Sequence, residues 1–371
     1  MAASKVPDVT GGVRQVHLDW LRGVAVVIMI LGHALDAWTR PTDRNLQLFG
    51  WSMIVAGGGS ALFLFLAGVA STLAAETRAR RLGDSRRAAA SVRRRGGQIF
   101  LYAFLFRLQS FVLSPGSSLS GLLKVDILNV MGPSIAAVAT CWQLAHSAAT
   151  RLILLSGATI AIVLITPIVR TATWLALLPD PIEWYLRPFP GRTNFILLPW
   201  AGYVTAGGAV GVWLNSMRSP ERQPQAHVVL ACVGLVMAVA GLGGSYLPSP
   251  YAVSSFWTTS PAFFSLRAGV LIFGVAAAFA WVRSRGTGIA AGPLCLLGLS
   301  SLFVYWIHVE MVFGPLSAPL HRRLPLPLTF VAVALFTGLM LVAVSLKDRI
   351  VRWWRTPSPP RGSAGLSRLT G

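Results

Sequence analysis

Charged residues are scarce in this chain of 371 residues, and cysteine is rarer still. Only 12% of the residues are charged, 54% are hydrophobic, and the mean hydropathy is +0.64. About a quarter of the residues of a soluble domain are charged, so this composition argues against a soluble protein and indicates a membrane protein. The cysteines, Cys141, Cys232 and Cys295, lie far apart within apolar runs. They indicate neither a disulfide framework nor a cysteine-based metal site.

Several signatures of known chemistry are also absent. No P-loop, dinucleotide fingerprint or Ser nucleophile elbow occurs in the sequence. No spacing of His, Cys, Asp and Glu resembles a zinc or di-metal site, so we predict no metal. Acidic residues are few: 12 Asp and Glu stand against 32 Lys and Arg, a net charge of +20. In a soluble protein this surplus would indicate nucleic acid, but membrane topology accounts for it here, and no nucleic-acid partner is predicted.

The chain does contain ten apolar runs long enough to cross about 30 Å of hydrocarbon in a lipid bilayer. Runs of this length without period-2 alternation predict helices. The predicted fold class is therefore all-α, a polytopic integral membrane helix bundle with about 10 transmembrane helices. No cleavage site follows a short apolar core near the start, so the first run is predicted to be retained. The predicted spans are 18–38, 51–75, 97–113, 127–145, 152–169, 194–214, 228–247, 262–282, 291–313 and 326–346.

The basic residues are distributed unevenly between the two sides of these spans. With the N-terminus in the cytoplasm, 21 basic residues lie inside, eight lie in outer segments and three lie within spans. The positive-inside rule then predicts a multi-pass protein of the plasma (inner) membrane with both termini cytoplasmic. The arginines of 78–95 are interpreted as an orientation signal in a solvated loop, with headgroup contacts as the alternative.

Three regions follow from these spans. They are a cytoplasmic segment 1–17, a transmembrane domain 18–346 and a basic cytoplasmic tail 347–371, in which residues from 356 onward are predicted to be disordered. A homo-oligomer is left open.

Ionisable side chains inside spans are costly unless paired or hydrated, so each is a functional candidate. In the first span, Arg22 and His33 are eleven residues apart, share one helix face and lie roughly 16 Å apart along the axis. Asp36 stands three residues after His33, where its carboxylate can take one ring N–H and leave the other nitrogen as a base. Asp19 has the same spacing from Arg22. That pair is interpreted either as a helix-start ion pair or as part of a ligand site.

Other spans place polar residues at the predicted level of His33 in the outer half of the membrane. They are Arg107, Asp126, Asn129, Arg267, His308 and Glu310. A static ion-pair network is one interpretation, but two histidines in the layer favour chemistry. His308 and Glu310 are about 200° apart on a helix and cannot both face one cavity, so His308 is the candidate and Glu310 is assigned to the rim.

Two other features are interpreted as structural. The glycine run 57–59 favours close helix packing or room for a ligand. Aromatic residues in the outer segments, such as Trp184 and Trp257, favour an interfacial belt over stacking on sugar rings.

The opening helix resembles that of the transmembrane acyltransferases. It reads Leu-Asp-Trp-Leu-Arg-Gly at 18–23, and ten residues separate Arg22 from His33, the Arg and His that mark the acyltransferase-3 group. Further stretches resemble bacterial members of the family named after the heparan-α-glucosaminide N-acetyltransferase catalytic domain. These are Phe-Leu-Phe-Leu-Ala-Gly at 63–68, Val-Asp-Ile-Leu-Asn-Val-Met-Gly at 125–132 and Phe-Val-Tyr-Trp-Ile-His at 303–308. The likeness extends from about residue 16 to residue 346, and ten spans suit it.

This resemblance implies transfer of an acetyl or other acyl group from cytoplasmic acetyl-CoA, a co-substrate and not a bound cofactor, to a sugar hydroxyl or amine beyond the membrane. Arg22, with Asp19, is then expected to meet a CoA phosphate. His33, oriented by Asp36, is expected to be the general base or to carry the acyl group itself. The candidates for oxyanion or substrate contacts are Arg107, Arg267, His308, Asp126 and Asn129.

Two other functions remain open. In a proton-coupled transporter, histidines and aspartates of the polar layer would relay protons and Arg267 would bind an anion. A transporter does not need the spacing of Arg22 and His33, which favours the acyltransferase. An inactive scaffold would tolerate Ala at His33.

Overall fold

The computed structural model describes residues 15–113 and 119–355. These residues form an all-helical bundle, as predicted, because a helix satisfies its own backbone groups in lipid. In the described part of the chain the α-helices are α1 (Val16–Trp38), α2 (Gln47–Leu82), α3 (Ser85–Leu113), α4 (Ile127–Leu144), α5 (Ala148–Thr171), α6 (Asp180–Leu186), α7 (Leu197–Ser216), α8 (Gln223–Gly244), α9 (Pro261–Arg285), α10 (Pro293–Leu299), α11 (Ser301–Phe313) and α12 (Leu326–Arg355).

Nine helices of the described residues are long and apolar enough to cross a membrane, and the bent pair α10 and α11 makes ten if it is counted as one span. The predicted span 291–313 is bent, because its two helices meet at 89°. Ser300 leaves the helical region there, with φ −105° and ψ 18°. Helix α10 packs backbone to backbone on α1, since a methyl group on Gly23 would overlap the Leu294 carbonyl. The hydropathy of the sequence does not reveal this contact between α10 and α1.

The basic segment 78–95 is not a solvated loop. Helix α2 runs to Leu82 and α3 begins at Ser85, so the arginines lie on two helices, here called the basic hairpin (residues 78–95). Gly83 makes the turn with φ +63°, a conformation that glycine adopts without strain. Arginine is a good helix former, which lets both helices extend beyond their apolar parts.

Helix α12 also exceeds its predicted limit. It continues through residues 347–355, which were assigned to the basic tail beyond the last span, and ends at Arg355. The segment has no Gly or Pro before Pro357, and its basic residues suit the negative end of a helix dipole. The predicted disorder from residue 356 and most of the segment 1–17 lie outside the described residues.

Helix α1 occupies the middle of the bundle, in contact with α2, α9, α10, α11 and α12. The neighbouring α2 packs closely on α7 through glycines, since a methyl group on Gly68 would overlap the Val204 carbonyl and one on Gly207 the Phe65 carbonyl. This arrangement surrounds the polar face of α1 with helices instead of lipid.

A buried ion pair ties α2 to α4 and α5. Arg151 Nη1 lies 2.6 Å from Glu76 Oε1, which also accepts from Trp142 Nε1 at 2.8 Å. The Arg151 guanidinium covers the Trp142 ring at 3.9 Å and its Nε donates to the Trp142 carbonyl. Both charged side chains are mostly buried, so this group fixes the relative positions of three helices.

Candidate active site

Two cavities open along one face of α1, and Arg22 and His33 each line one of them. The Arg22 cavity has a volume of about 340 Å³ and the His33 cavity about 520 Å³. Residues of the same five helices, α1, α2, α3, α4 and α11, line both. The predicted polar face of α1 therefore joins two spaces at opposite ends of one helix cluster.

The two cavities approach each other within about one helical turn. On three helices, residues that line different cavities are one or three positions apart, which is about 1.5 to 4.5 Å of helical rise. These pairs are Ser60 and Phe63 on α2, Ile127 and Leu128 on α4, and Tyr305 and Leu302 on α11. The cluster thus encloses most of the distance between Arg22 and His33.

The Arg22 cavity is basic at its edge and apolar inside. Arg78 and Arg95 of the basic hairpin line it together with Arg22. The apolar wall includes Phe63 and Met131. Two arginines of the segment 78–95 are therefore cavity residues.

Asp19 pairs with Arg22, as the spacing predicted. Arg22 Nη1 lies 3.0 Å from Asp19 Oδ1, and 27% of the Arg22 side chain is exposed. Asp19 itself does not line the cavity. It holds the guanidinium at the wall and offsets part of its charge.

A second imidazole holds the His33 ring. His33 Nδ1 lies 2.9 Å from His308 Nε2, and the rings are stacked with an interplanar angle of 13°. His308 is fully buried behind His33 and does not line the cavity. The sequence placed both histidines in one layer, and the structure brings them into contact.

The hydrogen-bond partners fix the tautomers of this pair. His308 Nδ1 lies 2.7 Å from the Val304 carbonyl, which only accepts, so Nδ1 carries the hydrogen. Nε2 of a neutral His308 is then the acceptor, and Nδ1 of His33 donates to it. His33 keeps an unprotonated Nε2, which is the atom that a general base requires.

Asp36 does not orient His33, contrary to the prediction from the helical spacing. Its carboxylate lies 3.5 Å from Arg44 Nη1, and its backbone carbonyl accepts from the same guanidinium. The Asp36 side chain is 56% exposed, so it lines the outer part of the His33 cavity. Asp36 pairs with Arg44, and His33 pairs with His308. The i,i+3 spacing of Asp36 and His33 therefore does not lead to a bond between them.

Asp126 is the centre of a buried polar cluster in the same cavity. Its Oδ2 lies 2.6 Å from Arg107 Nη2 and 3.2 Å from the Tyr305 hydroxyl. Asp126 also caps α4, because Oδ1 accepts from the Ile127 N–H at 2.7 Å. Three helices thus converge on one carboxylate.

Asn129 supports this cluster from behind the cavity. Its Oδ1 accepts from the Asp126 N–H at 2.9 Å, completing a capping box, and its amide donates to the Tyr185 hydroxyl at 3.1 Å. Burial raises the pKa of Tyr185, with the Asn129 bond acting the other way. Asn129 therefore positions Asp126 and is not itself part of the cavity wall.

Three cavity residues were missed or placed elsewhere by the sequence. Lys124 and Tyr305 line the His33 cavity, and so does Glu310, which was assigned to the rim. Burial, followed by the charge of Arg107, lowers the pKa of Lys124. Lys124 precedes Asp126 by two residues, and Tyr305 stands within the stretch 303–308, so both were close to recognised motifs.

Arg267 lies outside the His33 cavity, in a separate one of about 210 Å³. Its guanidinium stacks on the Phe263 ring at 4.4 Å. The sequence predicted that Arg267 shares one polar layer with His33. The two residues line different cavities, and among the described residues these cavities share only Asn194 and Phe195.

Most of the chain is similar in sequence to a known protein family. Residues 14–241 match the family model described as heparan-alpha-glucosaminide N-acetyltransferase, catalytic. No curated protein matches the chain. The match gives no support to the transporter alternative, and the acyltransferase-3 resemblance stays a prediction. Because the match covers more than half of the chain, the protein belongs to the family of the heparan-alpha-glucosaminide N-acetyltransferase catalytic domain, which suggests a membrane N-acetyltransferase.

Proposed function

We propose that the protein transfers an acetyl group from cytoplasmic acetyl-CoA to an amine or hydroxyl of a sugar on the other side of the plasma membrane, with His33 as the general base. The observation that carries this proposal is the pair of cavities on one face of α1, one with Arg22 and the other with His33. Both termini are cytoplasmic in this arrangement, so the Arg22 cavity opens to the side that holds CoA.

The Arg22 cavity suits the donor. Arg22, Arg78 and Arg95 bind the phosphates of CoA, and the apolar wall accepts the pantetheine arm. The three helical turns from Arg22 to His33 span roughly 16 Å, about the reach of that arm when extended. The thioester then arrives beside His33 while the nucleotide stays at the basic edge.

The His33 cavity suits the acceptor. Nε2 of His33 removes the proton from the acceptor N–H or O–H as the nitrogen or oxygen attacks the thioester carbonyl carbon. The carbon–sulfur bond breaks, and the CoA thiolate takes the same proton back from the imidazolium. His308 acts as a positioning residue, since it touches His33 and not the cavity.

Positive charge near His33 supports the transition state. Arg107 and Lys124 line the cavity and stabilise the oxyanion of the tetrahedral intermediate. Asp126 holds Arg107 in place at 2.6 Å. Arg267 does not line this cavity, so it has no part in this step.

The proposal is tested with the purified full chain in liposomes. Acetyl-CoA labelled in the acetyl group is added outside, and glucosamine or methyl glucoside is enclosed as an amine or a hydroxyl probe. We expect label on an enclosed sugar with the native chain, and a loss of about 100-fold or more in His33→Ala. His146→Ala is the matched control, because His146 is exposed between α4 and α5.

Two results would overturn the proposal. The first is an absence of both acetyl-CoA binding and label transfer with the native chain. The second is equal transfer by the native chain and His33→Ala, which would show that His33 is not the general base. Arg78→Gln should raise the KM for acetyl-CoA and leave kcat largely unchanged, because Arg78 contacts only the donor in this mechanism.

A further inference from the structure

The Arg267 cavity is a small cationic space that the proposed mechanism does not use. It lies among α5, α7 and α9, and its volume is about 210 Å³. Arg170 and Arg267 supply its charge, and Trp200, Tyr203 and Trp257 are among its aromatic walls.

The charge of this cavity is not balanced by the protein. No Asp or Glu lines it, and neither arginine forms an ion pair within residues 15–113 and 119–355. Arg170 donates to the Thr258 carbonyl at 3.1 Å, and Arg267 stacks on Phe263. A cation within a span, such as Arg267, is costly unless something pairs with it, so an anionic ligand is the expected partner.

The backbone makes room for this arrangement. A Cβ atom on Gly57 would lie 3.0 Å from Arg267 Nη2, so the glycine lets the guanidinium lie against α2. Ser260, which caps α9 by accepting from the Ala262 N–H at 3.1 Å, also lines the cavity. The start of α9 adds the positive end of a helix dipole to the two guanidinium groups.

We propose that Arg170 and Arg267 bind a phosphate group carried by the acceptor. Two fixed positive charges match a phosphate monoester, which carries about −1.5 to −2 at neutral pH, better than a singly charged carboxylate or sulfate. Asn194 and Phe195 line both this cavity and the His33 cavity. A sugar held by its phosphate here presents its amine or hydroxyl to His33. Only this last step rests on the proposed function.

Binding is measured without catalysis, in nanodiscs of phosphatidylcholine. Glucosamine 6-phosphate, glucosamine 6-sulfate and glucosamine are titrated by calorimetry and by tryptophan fluorescence, since Trp200 and Trp257 line the cavity. The phosphate is expected to bind most tightly. Arg267→Gln and Arg170→Gln should each weaken its binding about 10-fold to 100-fold, and Arg267→Lys less.

The control is Arg323→Gln, which removes an exposed arginine outside the cavity and should bind like the native chain. His33→Ala should also bind the sugar phosphate normally. If the native chain binds the sugar phosphate but transfers no acetyl group, the proposed function fails while the phosphate site stands.

A second arm identifies the source of the phosphate. Phosphatidic acid added to the nanodiscs either displaces glucosamine 6-phosphate, which assigns the group to a lipid, or does not, which assigns it to a soluble sugar. Either result supports a phosphate site if Arg267→Gln abolishes the binding of the phosphate compound concerned. Native affinity in both Gln variants, or equal affinity for glucosamine or its sulfate, would overturn the inference even if acetyl transfer is observed.

Discussion

The Nδ1 atom of His33 donates to Nε2 of His308 over 2.9 Å, so a residue 275 positions away in the sequence fixes the tautomer of the candidate base. This hydrogen bond is one of two in a row, and the first joins His308 Nδ1 to the Val304 carbonyl, which is fixed within α11. The geometry therefore needs no carboxylate to keep His33 Nε2 free.

We predict that His308→Ala lowers kcat about 10-fold to 100-fold and changes the KM for acetyl-CoA less than about twofold. The reason is that His308 touches His33 but neither cavity. His308→Gln should recover part of the loss, because its amide oxygen is able to accept a hydrogen bond. Steady-state acetyl transfer in liposomes measures both constants, and a rise in KM without a fall in kcat would contradict a positioning role.

Asp126 and Asp36 should behave very differently on conversion to Asn. Asp126→Asn weakens bonds to Arg107, Tyr305 and the start of α4, so we predict loss of most activity and a lower melting temperature. Asp36→Asn removes only an exposed pair with Arg44 and should retain activity within about twofold. Transfer rates and thermal unfolding of the two variants, side by side, test this. A severe defect in Asp36→Asn would contradict this account and support the prediction from the sequence that Asp36 orients His33.

Removal of one member of the Glu76 and Arg151 pair should destabilise the bundle strongly. Glu76→Gln leaves a mostly buried guanidinium without its counter-ion, at a cost of about 3–5 kcal/mol. Glu76→Gln combined with Arg151→Met should cost less than the sum of the single changes. Chemical unfolding in detergent gives these free energies, and strict additivity would show that the pair is not coupled.

The junction between α1 and α12 should respond to acid through Asp43. Hydrogen bonds from Arg40, then from the Leu326 N–H, hold the pKa of Asp43 below its usual value of 3.8. Its contribution to stability is therefore present above that value and is lost as the pH falls through the lowered one. We predict a constant difference in melting temperature between the native chain and Asp43→Asn from pH 8 to about 5. The difference should narrow only below about pH 3.8, and narrowing between pH 7 and 5 would contradict this account.

The sequence predicted those features that depend on residues close in the chain. Apolar length located the spans, and helical periodicity placed Arg22 and His33 on one face. Both signals are local properties of a helix, and the structure preserves them.

The sequence could not predict contacts between distant helices. His308 is 275 positions from His33, and no spacing rule could prefer it over Asp36, three positions away. The turn at Gly83 was also hidden, because the arginines on both sides of it suit a loop as well as a helix. Arg267 lines a different cavity from His33, which the sequence could not show, since a predicted depth along a helix axis does not specify helix order.

The break at Ser300 determines how much of the bilayer one helix of this span can cover. With 13 residues, α11 is about 20 Å long, shorter than the roughly 30 Å of hydrocarbon in a bilayer, and α10 turns away from it at 89°. Helix α11, which carries Tyr305 and His308, is therefore too short to cross the bilayer by itself. The turned helix α10 covers the part of α1 that α11 does not reach.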